Sequence, residues 1–352
     1  MLYLSDAEVT RLIDGNTDRV VELMREMFLL VNKGDYVLGG SNGASHGMRI
    51  TRGEGNEQRI FIAMPGYLGG RFNMAGVKWH GPSNPFFGRD SDSQYTVILS
   101  EPNTGEPKAI MRANTLTNYR TAAVNFLAVE QLTRPNPQVL SIIGPGKINR
   151  IFTLQVMDKF RSIKTIKIKG RGEKSRERFI DSVRTDFPSV ETIRCETVKD
   201  AVLDADIVSI NAGLFFNSYA DMPRIRSQWI KPGSLFICSA YASFPDALLI
   251  GNSVKVCDMY KAYEAYEEEL GYPASRSYGV IGNRFTDLVI EKKLRREDMI
   301  DLAEVLTGEH NVVDDDPRPI LFSNSGIVLE DIALACAVYE RARAQHVGLE
   351  VE

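Results

Sequence analysis

The chain has 352 residues, enough for two domains of ordinary size, and its 43% hydrophobic and 25% charged content is that of a soluble globular protein. A net charge of −4 gives no electrostatic case for a nucleic-acid or membrane-surface partner, and no apolar run reaches the roughly 20 residues of a membrane span. The opening MLYLSDAEVTRL lacks a basic segment followed by an apolar one, so no signal peptide is expected. Four scattered cysteines (Cys195, Cys238, Cys257, Cys336), without C-x-x-C spacing, fit free thiols in a reducing cytoplasm.

NTDRVVELMREMFLLVNKGD places apolar residues three and four apart behind the capping residues Asn16 and Thr17 and stops at Gly34, which predicts an amphipathic helix. RIFIAMP, AGVKWHG and QYTVILSEP read as strands. EPNTGEP turns the chain and KAIMRA returns, predicting a hairpin over 94–113. TLTNYRTAAVNFLAVEQLT resumes the helical period. RPNPQ, residues 134–138, is a proline-rich break and sets the expected boundary: 1–133 with 321–352 in one domain, 134–320 in the other. Beyond it VLSIIG, TIKIKG, TIRCE, DIVSINA, SLFICSA and SVKVCD are short, β-branched and apolar on both faces, and they alternate with helical segments. That pattern predicts an α/β fold with a Rossmann-type doubly wound parallel sheet. The tail SNSGIVLEDIALACAVYERARAQHVG is expected to be one long amphipathic helix packed back on the first domain.

Gly144-Pro145-Gly146 lies between an expected strand and an expected helix. Glycines there permit a tight turn and close backbone approach, and the helix start at Lys147 and Ile148 offers N–H groups to a pyrophosphate. Asn149 replaces the third glycine of G-x-G-x-x-G. Asn211 and Ala212, at the end of DIVSINA, complete the expected cofactor set. No carboxylate ends TIKIKG to hold the ribose hydroxyls of NAD. Gly170 is followed instead by RGEKSRER, where Arg171, Lys174 and Ser175 suit a 2′-phosphate. The sequence therefore favours NADP(H) and allows NAD(H). Arg176 and Arg178 are expected on a solvated helix face.

AMPGYLGG…AGVKWHGPSNP, SEPNTGEPKAIMRANTLTNYRTAAV and SNSGIVLEDIALA follow one another in an order that resembles the ornithine cyclodeaminase/μ-crystallin family across nearly the whole chain. GVKWHGPSNP and LTGEHNVVDDDPRPILFSNSGIVLEDIALA are most similar to the branch of dehydrogenases that cleave an N-(carboxyalkyl) amino acid to give 2,3-diaminopropionate. The resemblance implies an α+β substrate domain that includes the C-terminal helix and dimerises through a sheet, with the Rossmann domain between. It implies a small amino or imino acid substrate and NAD(P)-dependent oxidation or reduction at its C–N bond, by an imine reductase or an N-substituted amino acid dehydrogenase. Two alternatives stay open: a cyclodeaminase lyase that recycles NAD internally, and a crystallin-like protein that holds NADPH without turnover.

The same resemblance puts Lys78 in the active site, near the substrate carboxylate or the reacting nitrogen. On a strand Lys78 points away from Val77 and Trp79, and burial that lowers its pKa suits it to pass a proton. Arg120 matches a carboxylate with its guanidinium fork, Thr121 is a secondary contact, Asn84 lines the site, and Arg49 stands in for a second family anchor. Cyclodeaminases carry an acid–base Asp in G-G-D-x-P after the fifth Rossmann strand. Here SAYASFPD puts Ser243 at that place, with Asp246 three residues on. A serine takes no proton near neutral pH unaided, so hydride transfer is favoured over deamination. His46 and His80 are expected to be structural, and no metal spacing is present among the histidines. Asp314-Asp315-Asp316 is expected in a solvated loop. Ser323 to Gly326 is expected to open the last helix and turn N–H groups toward cofactor or substrate. Glu330 and Asp331 suit its dipole there, and the resemblance adds Asp331 as a pocket candidate.

Overall fold

The computed structural model describes residues 1–53, 59–81, 94–212, 222–312 and 316–352. In chain order it runs β1 (Leu2–Leu4), α1 (Asp6–Ile13), α2 (Thr17–Asn32), β2 (Tyr36–Leu38), β3 (Met48–Arg52), β4 (Arg59–Leu68), β5 (Met74–Gly81), β6 (Gln94–Ser100), β7 (Pro107–Arg112) and α3 (Asn114–Leu132). The middle holds β8 (Val139–Ile143), α4 (Lys147–Lys159), β9 (Thr165–Lys169), α5 (Glu173–Asp186), β10 (Glu191–Arg194), α6 (Val198–Val202), β11 (Ile207–Ile210), β12 (Leu235–Cys238), α7 (Asp246–Gly251) and β13 (Val254–Cys257). Then come α8 (Tyr260–Leu270), α9 (Ala274–Ser277), α10 (Ile281–Ile290), β14 (Met299–Asp301), α11 (Leu302–Thr307), β15 (Ile320–Ser323), α12 (Val328–Ala344) and β16 (Leu349–Glu350). Two compact units form, Met1–Ala123 with Gly326–Glu352, and Val124–Ser325.

The first unit is a sheet in the order β16-β1-β7-β6-β5-β4-β2, with β3 also beside β4. β1 and β7 pair in parallel and the other neighbours are antiparallel. α12 lies across β4, β5 and β6 and against α2. Two glycines let it come this close. A Cβ on Gly66 would meet Val328 at 2.7 Å, and one on Gly76 would meet Ile332 at 3.1 Å. α12 departs from the expected amphipathic helix: every residue from Val328 to Cys336 is buried, Glu330 and Asp331 included. Apolar residues all round a helix mark burial rather than a surface stripe.

The second unit is a wholly parallel sheet in the order β10-β9-β8-β11-β12-β15-β13-β14. Winding runs outward from β8 through β9 to β10, then restarts at β11 on the other side, so β8 and β11 flank the topological switch point. β15 and β14 were not expected as strands. β15 is only Ile-Leu-Phe-Ser, yet it sits wholly buried between β12 and β13. Ser323 therefore ends a strand rather than opening the last helix.

At the switch point Gly144 adopts φ +95°, and a Cβ there would lie 2.3 Å from the Asn211 carbonyl oxygen. Asn149 makes good the missing third glycine. Its Nδ2 donates to the Gly144 carbonyl at 2.8 Å, and its Oδ1 accepts from the Ser209 hydroxyl at 2.6 Å, tying α4 to the turn and to β11. Gly146 differs from Gly144, since an added Cβ would meet nothing within 4 Å. Gly144→Ala is therefore expected to lower unfolding free energy by about 2 kcal/mol or more, while Gly146→Ala leaves it near the wild-type value; urea titration of the two variants checks this.

Candidate active site

In the first unit, strand and helix registers bring four ionised side chains into the core. Lys78 on β5 is 2% exposed and faces α12, whereas its neighbour Trp79 is 42% exposed on the opposite face. The Lys78 ammonium donates to Asp331 Oδ1 at 2.8 Å. Arg120 on α3 donates from Nε to the same oxygen at 3.3 Å and from Nη1 to Glu330 Oε2. The Thr117 hydroxyl reaches Asp331 Oδ1 at 3.5 Å. Lys78 Nζ also lies 4.7 Å above the Tyr95 ring, and His80 stacks on that ring with centroids 4.7 Å apart.

This packing sets the protonation states. Burial, then the nearby Arg120 cation, lowers the Lys78 pKa to about 8, with Asp331 opposing. Burial also disfavours the Arg120 cation, but Asp331 and Glu330 outweigh it and hold its pKa above the usual value. Desolvation first, then Lys78, pushes His46 down to about 3 and His80 to about 4. Both histidines are neutral at neutral pH, so neither is an acid there. Two cations thus face two carboxylates in a buried site, where each charge is tolerable only through its partners.

Arg120 is more occupied than its sequence setting suggests. Nε and Nη1 are taken by Asp331 and Glu330, which leaves Nη2 without a partner among the described residues. One nitrogen, rather than the whole fork, remains to meet another group. The Thr121 hydroxyl donates to the Thr117 carbonyl at 2.7 Å, so its hydrogen is spent inside α3. Arg49 sits half-buried on β3, paired with Ile62 of β4, whose other partner is His80. Asn84, Asp314 and Asp315 lie outside the described residues.

In the second unit the turn and its neighbours converge. Gly146 and Lys147 are exposed, Ile148 is half-buried, and no side chain caps the start of α4. Asn211 and Ala212 follow β11 and press against Gly144. A Cβ on Gly170 would sit 2.8 Å from the Pro145 ring, so the tip of β9 touches the same turn. The glycine cradle, the open space at Gly146 and the uncapped helix start fit a dinucleotide pyrophosphate. Arg171 and Lys174 follow, exposed, and β9 ends without a carboxylate. Arg176 is not on a solvated face: it is 8% exposed, with Nη1 3.5 Å from Glu196.

Ser243 is half-buried, and its backbone bridges the 223–225 segment, accepting from Ile225 N and donating to the Pro223 carbonyl, both at 2.9 Å. Asp246 opens α7 and is clamped by Arg284 at 2.6 and 3.0 Å. The run before α12 also differs from expectation. The Ser325 N–H donates to Asp258 at 2.9 Å, the Ser323 hydroxyl accepts from Gly282 N at 3.0 Å, and Glu330 caps α12 through Ile327 N. Those Ser323 and Ser325 groups serve the fold. The residue whose centrality the sequence understated is Asp331. Two adjacent acids inside the otherwise apolar GIVLEDIALACAV carried the signal, because buried carboxylates require buried cations.

A model of the ornithine cyclodeaminase/mu-crystallin family matches residues 16–346. Over 351 residues the chain is 24% identical to N-((2S)-2-amino-2-carboxyethyl)-L-glutamate dehydrogenase of Staphylococcus aureus, covering 99% of this chain and 97% of that one. A solved Delta(1)-pyrroline-2-carboxylate reductase of Thermococcus litoralis, in complex with NADH and L-proline, has a TM-score of 0.79 at 20% identity and covers 100% of both chains. An archaeal alanine dehydrogenase dimer with bound NAD has a TM-score of 0.78 at 21% identity, covering 100% of this chain and 99% of that one. These likenesses establish the Rossmann-type α/β fold.

Arg120→Met removes the cation that faces Glu330 and Asp331 in the core and is expected to lower unfolding free energy by about 3–5 kcal/mol. Arg318→Met, whose partner Asp316 lies near the surface, is expected to cost less than about 1 kcal/mol; urea unfolding of both variants reads the contrast.

Proposed function

The chain belongs to the ornithine cyclodeaminase/mu-crystallin family, and we propose that it is a nicotinamide-dependent oxidoreductase acting on the C–N bond of a small amino or imino acid. The observation that carries this reading is the buried Lys78 and Arg120 pair, charge-balanced by Asp331 and Glu330, in a chain that also holds an open glycine turn at a Rossmann switch point. Gly144 to Ile148 with Asn211 and Ala212 would hold the nicotinamide cofactor, which would supply hydride chemistry at the substrate carbon. Arg120 binds the substrate carboxylate through Nη2. In the reductive direction the Lys78 ammonium gives its proton to the imine nitrogen, is left as the neutral amine, and regains a proton from water. In the oxidative direction the neutral amine takes the proton from the substrate nitrogen. Lys78 and Arg120 belong to a substrate domain, and residues Gly144 to Ile148 with Asn211 and Ala212 to a cofactor domain.

The S. aureus relative supports an N-substituted amino acid as substrate, and the L-proline-bound reductase supports a cyclic imino acid. The cyclodeaminase reading is weaker, because Ser243 stands where its acid–base Asp is expected and Asp246 is held by Arg284. NADP(H) is favoured over NAD(H) on the exposed Arg171 and Lys174 beyond a strand tip without a carboxylate; the solved relatives were captured with NAD(H). A homodimer forms through the outer face of the first sheet. Register places Met48, Ile50, Phe61, Val77, Trp79 and Ile98 together there, and Met48 and Ile50 are 71% and 52% exposed. The four buried free thiols support the cytoplasm as its compartment.

The test is reduced-cofactor oxidation against a panel of cyclic and N-substituted imino acids, followed at the nicotinamide absorbance band. Reduction needs the charged Lys78, so its rate is expected to fall as pH rises through about 8, and amine oxidation to rise over the same range. Lys78→Met is expected to lose at least about 100-fold in kcat together with that limb; full activity in this variant would end the proton-transfer assignment. Arg171→Asp is expected to move preference from NADPH toward NADH, read as the ratio of the two kcat/KM values; an unmoved ratio removes Arg171 from cofactor choice.

A further inference from the structure

We propose that Asp331 is the positioning residue of this site: its single oxygen Oδ1 fixes the Lys78 ammonium and the Arg120 guanidinium together, one for proton transfer and the other for a carboxylate. The inference rests on the reading of Lys78 given above and adds a residue, from the C-terminal helix, that acts through it.

Three donors from two elements converge on that oxygen: Lys78 Nζ of β5 at 2.8 Å, and Arg120 Nε and the Thr117 hydroxyl of α3 at 3.3 and 3.5 Å. Asp331 is itself 0% exposed, and its Oδ1 is taken by the two cations it holds, through which it acts. Stabilising the helix start does not account for it, because Glu330 already caps α12 through Ile327 N and the dipole favours exposed acids as well as buried ones. Among the described residues, the groups facing Lys78 are Arg120 from α3, Asp331 and Glu330 from α12, His80 from its own strand, His46 from the segment before β3, and Tyr95 from β6. Both histidines are neutral near pH 7, so the cluster balances two positive charges against two negative ones.

Removing the Asp331 charge leaves two cations facing Glu330 alone. Arg120 then repels the Lys78 proton with less opposition, and Lys78 titrates at lower pH. A carboxylate that merely supported the fold would, on removal, lower kcat at every pH and leave the limb in place.

Asp331→Asn is therefore expected to move the Lys78 limb of the pH–rate profile down by about one unit or more. The same downward shift is expected in cofactor-free protein, in the 13C NMR titration of ε-labelled lysine, with the Lys78 signal identified by its loss in Lys78→Arg. Asp331→Glu keeps the charge but displaces the oxygen by one methylene. It is expected to keep the limb near the wild-type pH while losing kcat, and it carries the test should Asp331→Asn not fold. A limb that depends on Lys78 but stays put in Asp331→Asn, or an Asp331→Glu variant with wild-type kcat and KM, overturns this inference alone. Full activity in Lys78→Met overturns instead the reading on which it rests.

Discussion

Four charges in the core of the first unit depend on one another. Lys78, Arg120, Glu330 and Asp331 are each nearly or wholly buried, and none of them is tolerable there alone. Their balance constrains the surrounding fold. β5 must place Lys78 on the helix-facing side, α3 must present Arg120 at its centre, and α12 must come close enough to bring both acids into hydrogen-bond reach. Gly66 and Gly76 serve that last requirement, since side chains there would hold α12 off the sheet.

The second unit meets a different constraint with backbone geometry. A ligand that needs close approach at a helix start requires a turn without side chains in the way. Gly144 supplies the left-handed conformation, and Gly146 leaves the space open. Asn149 shows that the usual third glycine is one solution among others: a buried amide that bonds both the turn and the neighbouring strand holds the helix in register as well. The first unit thus balances its charges inside the core, whereas the second keeps an uncapped helix start open beside its turn.

Much of this was legible in one dimension. The hairpin over β6 and β7, the run of parallel strands and the turn at 144–146 follow from local periodicity and glycine placement, which act over a few residues. Arg176 was misread although the pattern was present: Phe179, Ile180 and Val183 lie three, four and seven residues on, so they share its helix face and bury it. β15 is not legible because three apolar residues leading into a Ser-Asn-Ser-Gly run carry too short a pattern; only insertion between β12 and β13 makes it a strand.

The sequence by itself determined the fold class, the glycine turn after β8, the resemblance to a family and the side of the strand on which Lys78 points, because each rests on spacing along the chain. Only the tertiary structure decided which charges meet. Asp331 lies 253 residues from Lys78 and 211 from Arg120, and no local pattern ranks one acid near a helix start above another. Their convergence on a single oxygen is fixed by how closely a buried helix can lie on a sheet, and that closeness belongs to packing.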